Sequence, residues 1–136
     1  MALPNGAGGY QLGDGNLNEV RLGYMAAPAT ATSTATLTVA QATAGILLGS
    51  PGSSAASYTL PTVSDLENTV SSAKVGSTFD LSVINVDGSG SGVITLVAGT
   101  GWTIVGLATV AATAGTAQTF RARKTGDGAW SLYRIA

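Results

Sequence analysis

Between residues 79 and 98 the chain reads FDLSVINVDGSGSGVITLVA. Phe79, Leu81 and Val83 alternate with Asp80 and Ser82, the two-residue period of a strand with one buried and one wet face. Ile84 breaks that alternation, so both faces are expected to be covered near Asn85. From Asp87 to Gly92 the run is one Asp followed by alternating Gly and Ser, which turns readily and has almost no side chain to bury. Val93, Ile94, Leu96 and Val97 then form a nearly continuous apolar run, as an inner strand does. The pattern predicts two strands joined by a glycine turn, placed at the centre of the molecule.

The same alternation locates further elements. Leu37 and Val39 share a face in 36–40, residues 45–49 enclose Ile46, Leu47 and Leu48, and 58–60 is a strand stopped by Pro61. Residues 102–105 make a brief strand and 107–112 a weaker one. At the C-terminus, 119–124 and 129–135 flank an Asp127-Gly128 turn, a strong local hairpin signal. Phe120 and Ala122 fall on one face there, Arg121 and Arg123 on the other.

One short helix is expected, from Thr62 or Ser64 to Lys74. Ser64 and Glu67 have capping-box spacing, Leu66 and Val70 lie four apart, and Gly76 is placed to end it. About eight short strands at spacings near ten residues predict an all-β chain, a β-sandwich or a Greek-key or jelly-roll-like barrel.

The first 34 residues look different. Gly6, Gly8, Gly9, Gly13 and Gly15 are mixed with Asn and Asp, and large residues stand alone among them. We expect residues 1–34 to be an extended N-terminal arm and linker, gaining order by laying side chains on another surface. Leu3, Tyr10, Leu12, Val20, Leu22 and Tyr24 are the candidate contacts with a partner or neighbouring subunit. Residues 35–136 are expected to be the β-sandwich body.

Composition changes the picture in two ways. Aromatics are only 6% of a chain that is 45% apolar, so Val, Leu, Ile and Ala must fill the interior. Charged residues are 10% of 136, against about 25% in ordinary soluble domains, and mean hydropathy is +0.33. So little charge suits a surface covered by other subunits or a partner. A net charge of −1 gives no overall footprint for nucleic acid. The opening MALPNGAGGYQ has no basic or apolar leader region, and no run approaches a membrane span; the expectation is a soluble, intracellular origin with no membrane partner.

The chemistry available is thin. The chain contains neither His nor Cys, which removes a Ser-His-Asp constellation, a thiol nucleophile and thiolate metal sites. A Ser-Lys dyad would need Lys74 or Lys124, yet nearly every Ser lies in a turn or linker. Asp65 and Glu67 suit a helix start, and Asp87 and Asp127 suit turns. The loops around Asp14 and Asp87 each offer one carboxylate, too few for calcium. No catalytic, cofactor-binding or metal residues are therefore expected, and the chain is not expected to be an enzyme. Arg121, Arg123, Lys124 and Arg134 gather positive charge on the terminal hairpin, read as a solvated or salt-bridged face. Trp102 and Trp130 suit core or interface positions.

Several of these runs together resemble a known family. They are Gly76, Phe79, Leu81, Val83, Ile84 and Asn85, then Gly92, Ile94, Thr95, Leu96 and Ala98 through Gly101. The similarity continues in Thr119, Phe120, Arg121 and Arg123 through Gly126, and in Trp130 and Leu132 through Ile135. Over about residues 36–136 the chain resembles the capsid decoration, or cement, proteins of tailed bacteriophages and related small head structural proteins. The resemblance implies a β-sandwich body, a homotrimer and a place on the outer surface of the virion, assembled in the host cytoplasm. It also implies the major capsid protein as partner and stabilisation of the capsid by clamping neighbouring subunits. The alternative is a head-fibre or tail-associated module that binds a host-surface glycan or receptor, with Trp102 or Trp130 exposed in a groove.

Overall fold

The computed structural model describes residues 22–136. In chain order its elements are β1 (Ala29–Ala31), β2 (Ala35–Thr36), α1 (Val39–Ala42), β3 (Ile46–Gly49), β4 (Ala56–Thr59), α2 (Val63–Thr69) and β5 (Thr78–Asn85). They continue with β6 (Ile94–Val97), β7 (Trp102–Val105), β8 (Thr109–Val110), β9 (Thr116–Gly126) and β10 (Ala129–Arg134). The protein is thus mostly β, and its strands form two sheets, ordered β1-β3-β5-β9-β10-β7 and β2-β4-β6-β8.

From β1 to β8 the strands alternate strictly between these sheets, so the chain winds like a flattened coil. Each turn of the coil lays its strands parallel to those of the turn before: β1, β3 and β5 in one sheet, β2, β4 and β6 in the other. Parallel neighbours need a crossover between them, and here the crossover is a strand of the opposite sheet. Antiparallel neighbours, which a Greek key requires throughout, are confined to β5–β9–β10 and β6–β8.

The inner faces meet in one apolar cluster. Leu47, Leu81, Val83, Phe120, Trp130 and Leu132 come from the larger sheet, and Tyr58, Ile94, Leu96 and Val110 from the smaller. Helix α2 closes the same core with Val63 and Leu66. Burying each such side chain contributes about 1.5–3 kcal/mol, so Val, Leu and Ile do supply most of the interior.

Four local expectations need correction. Residues 79–98 are two strands and a turn, but not a hairpin: β5 and β6 belong to different sheets. The physical cause is Asn85, which is fully buried at the end of β5. Its amide Nδ2 donates to Gly92 O at 2.8 Å and to Ala111 O at 2.9 Å, while Oδ1 accepts from Gly88 N at 2.6 Å. Gly92 meanwhile passes so close to the carbonyl of Gly52 that a Cβ there would collide with it. Together these contacts turn the chain towards the opposing sheet.

The segment 25–33, read as linker, contributes β1, which pairs with β3 as an edge strand. Residues 36–40 are not one strand either. Thr38 caps α1, with its Oγ1 accepting from Gln41 N at 3.2 Å and Gln41 Oε1 accepting from Thr38 N at 2.8 Å. That Thr-x-x-Gln spacing is a capping box, a signal present in the sequence and passed over. Finally, α2 stops at Thr69 and its N-cap is Thr62, whose Oγ1 accepts from Asp65 N at 3.2 Å. Ser64 and Glu67 do not form the box, because Glu67 is engaged elsewhere.

Candidate functional site

Of the six expected contact residues, Leu3, Tyr10, Leu12 and Val20 lie outside the described residues. Leu22 and Tyr24 are 90% and 99% exposed. They belong to residues 22–28, all exposed, which lead into β1. Met25 brings its Sδ against Gly45 at the start of β3, so the segment runs alongside the larger sheet near its β1 edge. Both are large apolar side chains that the described residues leave in solvent.

The remaining chemistry-bearing groups are held within the fold. Glu67 Oε1 accepts from Lys124 Nζ at 3.2 Å, from Trp130 Nε1 at 3.2 Å and from Gly128 N at 3.3 Å. The hydrogen bond from Lys124 is the main reason the Glu67 carboxyl sits below its usual range. Lys124, nearly buried close to the turn of the terminal hairpin, also donates to Ala73 O at 3.3 Å. This lysine ties α2 and the chain after it to β9–β10.

On the outer face of the larger sheet, Arg121 grips Asp80 with two hydrogen bonds, Nε to Oδ1 at 2.8 Å and Nη2 to Oδ2 at 3.1 Å. These bonds lower the Asp80 pKa and raise that of Arg121. Of the basic cluster, Arg121 is thus paired across β5–β9, Lys124 points inward, and Arg123 and Arg134 remain in solvent.

The tryptophans are core residues. Trp102 and Trp130 are 7% and 2% exposed, their rings lie 6.0 Å apart, and Trp102 Nε1 donates to Pro61 O at 2.8 Å. Neither is exposed in a groove, which corrects the feature on which a glycan-stacking reading depended. A shallow groove of about 250 Å³ does exist, beside β1 and β2, lined by Thr30, Thr32, Ser33, Leu37 and Gln41 among others. Its polar groups are partly spent on structure, since Gln41 Nε2 donates to Thr30 O at 2.8 Å.

Sequence reasoning missed a second exposed apolar feature. Val105, Leu107 and Ile135 are 47%, 68% and 48% exposed. Val105 ends β7, the last described strand of the larger sheet, and lies opposite Tyr133 of β10; Ile135 follows β10, and Leu107 lies in the connection from β7 to β8. One signal could have flagged the region: no charged residue occurs between Asp87 and Arg121.

Among the described residues, no three of His, Cys, Asp and Glu come together as a metal site, and no helix is long and apolar enough to cross a membrane. No family model, curated protein or solved structure matches the chain.

Proposed function

We propose that this protein is a structural virion component of the phage cement type, binding the outside of a mature capsid and clamping neighbouring subunits, as a homotrimer. The observation that carries this reading is the segment holding Leu22 and Tyr24, which presents large apolar side chains to solvent from the edge of a folded β body. The scarcity of charge over the chain supports it as well, since a covered surface tolerates that composition. The mechanism is mass action. A protein that binds the assembled lattice and not its free subunits stabilises the lattice, and several linked contacts multiply the effect.

Deleting residues 1–24 tests the reading, because the deletion stops short of β1 and spares every described strand. The expected outcome is a body with unchanged circular dichroism that no longer sediments with capsids. Undiminished coating by the truncated chain would remove the arm from the mechanism.

A further inference from the structure

We propose that the outer face of the larger sheet, over β3 and the end of β5, is the docking site for residues 1–21 of the same chain. This inference does not depend on which particle the protein binds.

The outer face is of two kinds. Over the antiparallel part it is polar: Asp80 pairs with Arg121 across β5–β9, and Arg123 stands opposite Ser131 of β10. Over the parallel part it is apolar. Leu47 and Val83 belong to the core, so their neighbours Ile46, Leu48 and Ile84 take the outer side by alternation. All three are half-buried, and none belongs to the core cluster. Leu48 stands opposite Ile84, and Ile84 opposite Ala117 of β9, with no ionisable side chain in the row.

Parallel strands with continuous apolar runs are covered on both faces. Here β1, β3 and β5 are parallel, and the core covers one face only. Both helices pack towards that core, through Val39 and through Val63 and Leu66, so none of the described elements serves as the second cover.

The same chain carries suitable material at the right place. Met25 Sδ lies 3.6 Å from where a Cβ on Gly45 would stand, and Gly45 immediately precedes Ile46. The chain thus passes this patch shortly after Leu22. Before Leu22 come 21 residues that include Leu3, Tyr10, Leu12, Leu17 and Val20. Leu22 and Tyr24 themselves stand in solvent, which leaves the contact to the residues preceding them.

Reach and tethering favour this occupant over a second copy. From β1 to β9 the sheet spans three strand spacings, about 14 Å, whereas 21 extended residues reach about 70 Å. A tethered segment acts at an effective concentration on the order of millimolar. Another molecule at micromolar concentration competes poorly with it.

The chain has no cysteine of its own, so a single Ile84→Cys reports access to the face. In the full-length chain its thiol is expected to react with a water-soluble maleimide about tenfold more slowly, or slower still, than in a full-length chain that also carries Leu3→Ser, Tyr10→Ser, Leu12→Ser, Leu17→Ser and Val20→Ser. Arg123→Cys, on the polar part of the same face, is expected to react at one rate in both backgrounds. Leu48→Cys gives a second reading of the patch if Ile84→Cys alters the circular dichroism. Equal rates in the two backgrounds overturn the proposal. Protection that grows between about 1 and 100 µM protein also overturns it, because a contact within one chain is independent of concentration and the occupant is then a second copy. Concentration-independent protection in a chain that fails to sediment with capsids supports the inference and tells against the cement function alone.

Discussion

Strand β9 runs against β5 over eight residue pairs and against β10 over six, whereas β1 meets β3 over three pairs and β2 meets β4 over two. The antiparallel β5–β9–β10 part of the molecule is held by long ladders, and its β9–β10 hairpin is closed by a tight turn. The parallel winding is held by short ladders and by single side chains that reach from one sheet to the other. Asn85 and Tyr58 are those side chains. The difference teaches that the winding depends on a few polar contacts inside an apolar core, while the hairpin rests on many equivalent ones.

The sharpest test of this contrast is Asn85→Ala. It leaves Gly92 O, Ala111 O and Gly88 N without their partner, and we expect a loss of roughly 3 kcal/mol in chemical denaturation. A loss below 1 kcal/mol would show that the turn holds itself.

Tyr58→Phe keeps the ring in the core but removes both hydroxyl bonds to the chain after β1, for an expected loss of about 1 kcal/mol. Amide exchange should quicken in β1 and the residues after it, and not in β9 or β10. Equal quickening in both parts would erase the distinction between them. The Tyr58 pKa is raised, chiefly by burial and then by Asp87, so its titration should begin above the ordinary phenol range.

The smallest effect is expected from acid. Glu67 and Asp80 both have folded pKa values below their ordinary ones, owing first to hydrogen bonds from Lys124 and Arg121 respectively. Their unfolded forms bind protons more readily, so the stability they contribute is present above about pH 4 and is lost as pH falls through the lowered folded values. Both pairs anchor the hairpin part to its neighbours. Glu67→Gln and Asp80→Asn should therefore flatten the decline in unfolding midpoint below pH 4, and an unchanged slope would mean that these pairs add nothing.

What was legible in the sequence follows the reach of each signal. Asp127-Gly128 specified its hairpin because a two-residue turn fixes the pairing of the strands that flank it. The period of two in 79–85, and the WTIV run, located β5 and β7, since alternation reports which face is buried.

Partner choice was beyond that reach. Asp87–Gly92 carries the composition of a hairpin turn, and nothing local says that Asn85 will bury its amide and send the chain into the other sheet. Glu67 looked like a helix cap because capping is a three-residue relation, yet its partners Lys124, Gly128 and Trp130 lie some sixty residues away and exist only once the fold has formed. The sequence by itself determined that this is a β chain whose interior is built of small apolar residues. The tertiary structure alone decided which sheet each strand joins and which strands neighbour one another, because pairing is set by long-range packing and buried polar contacts that no local pattern encodes.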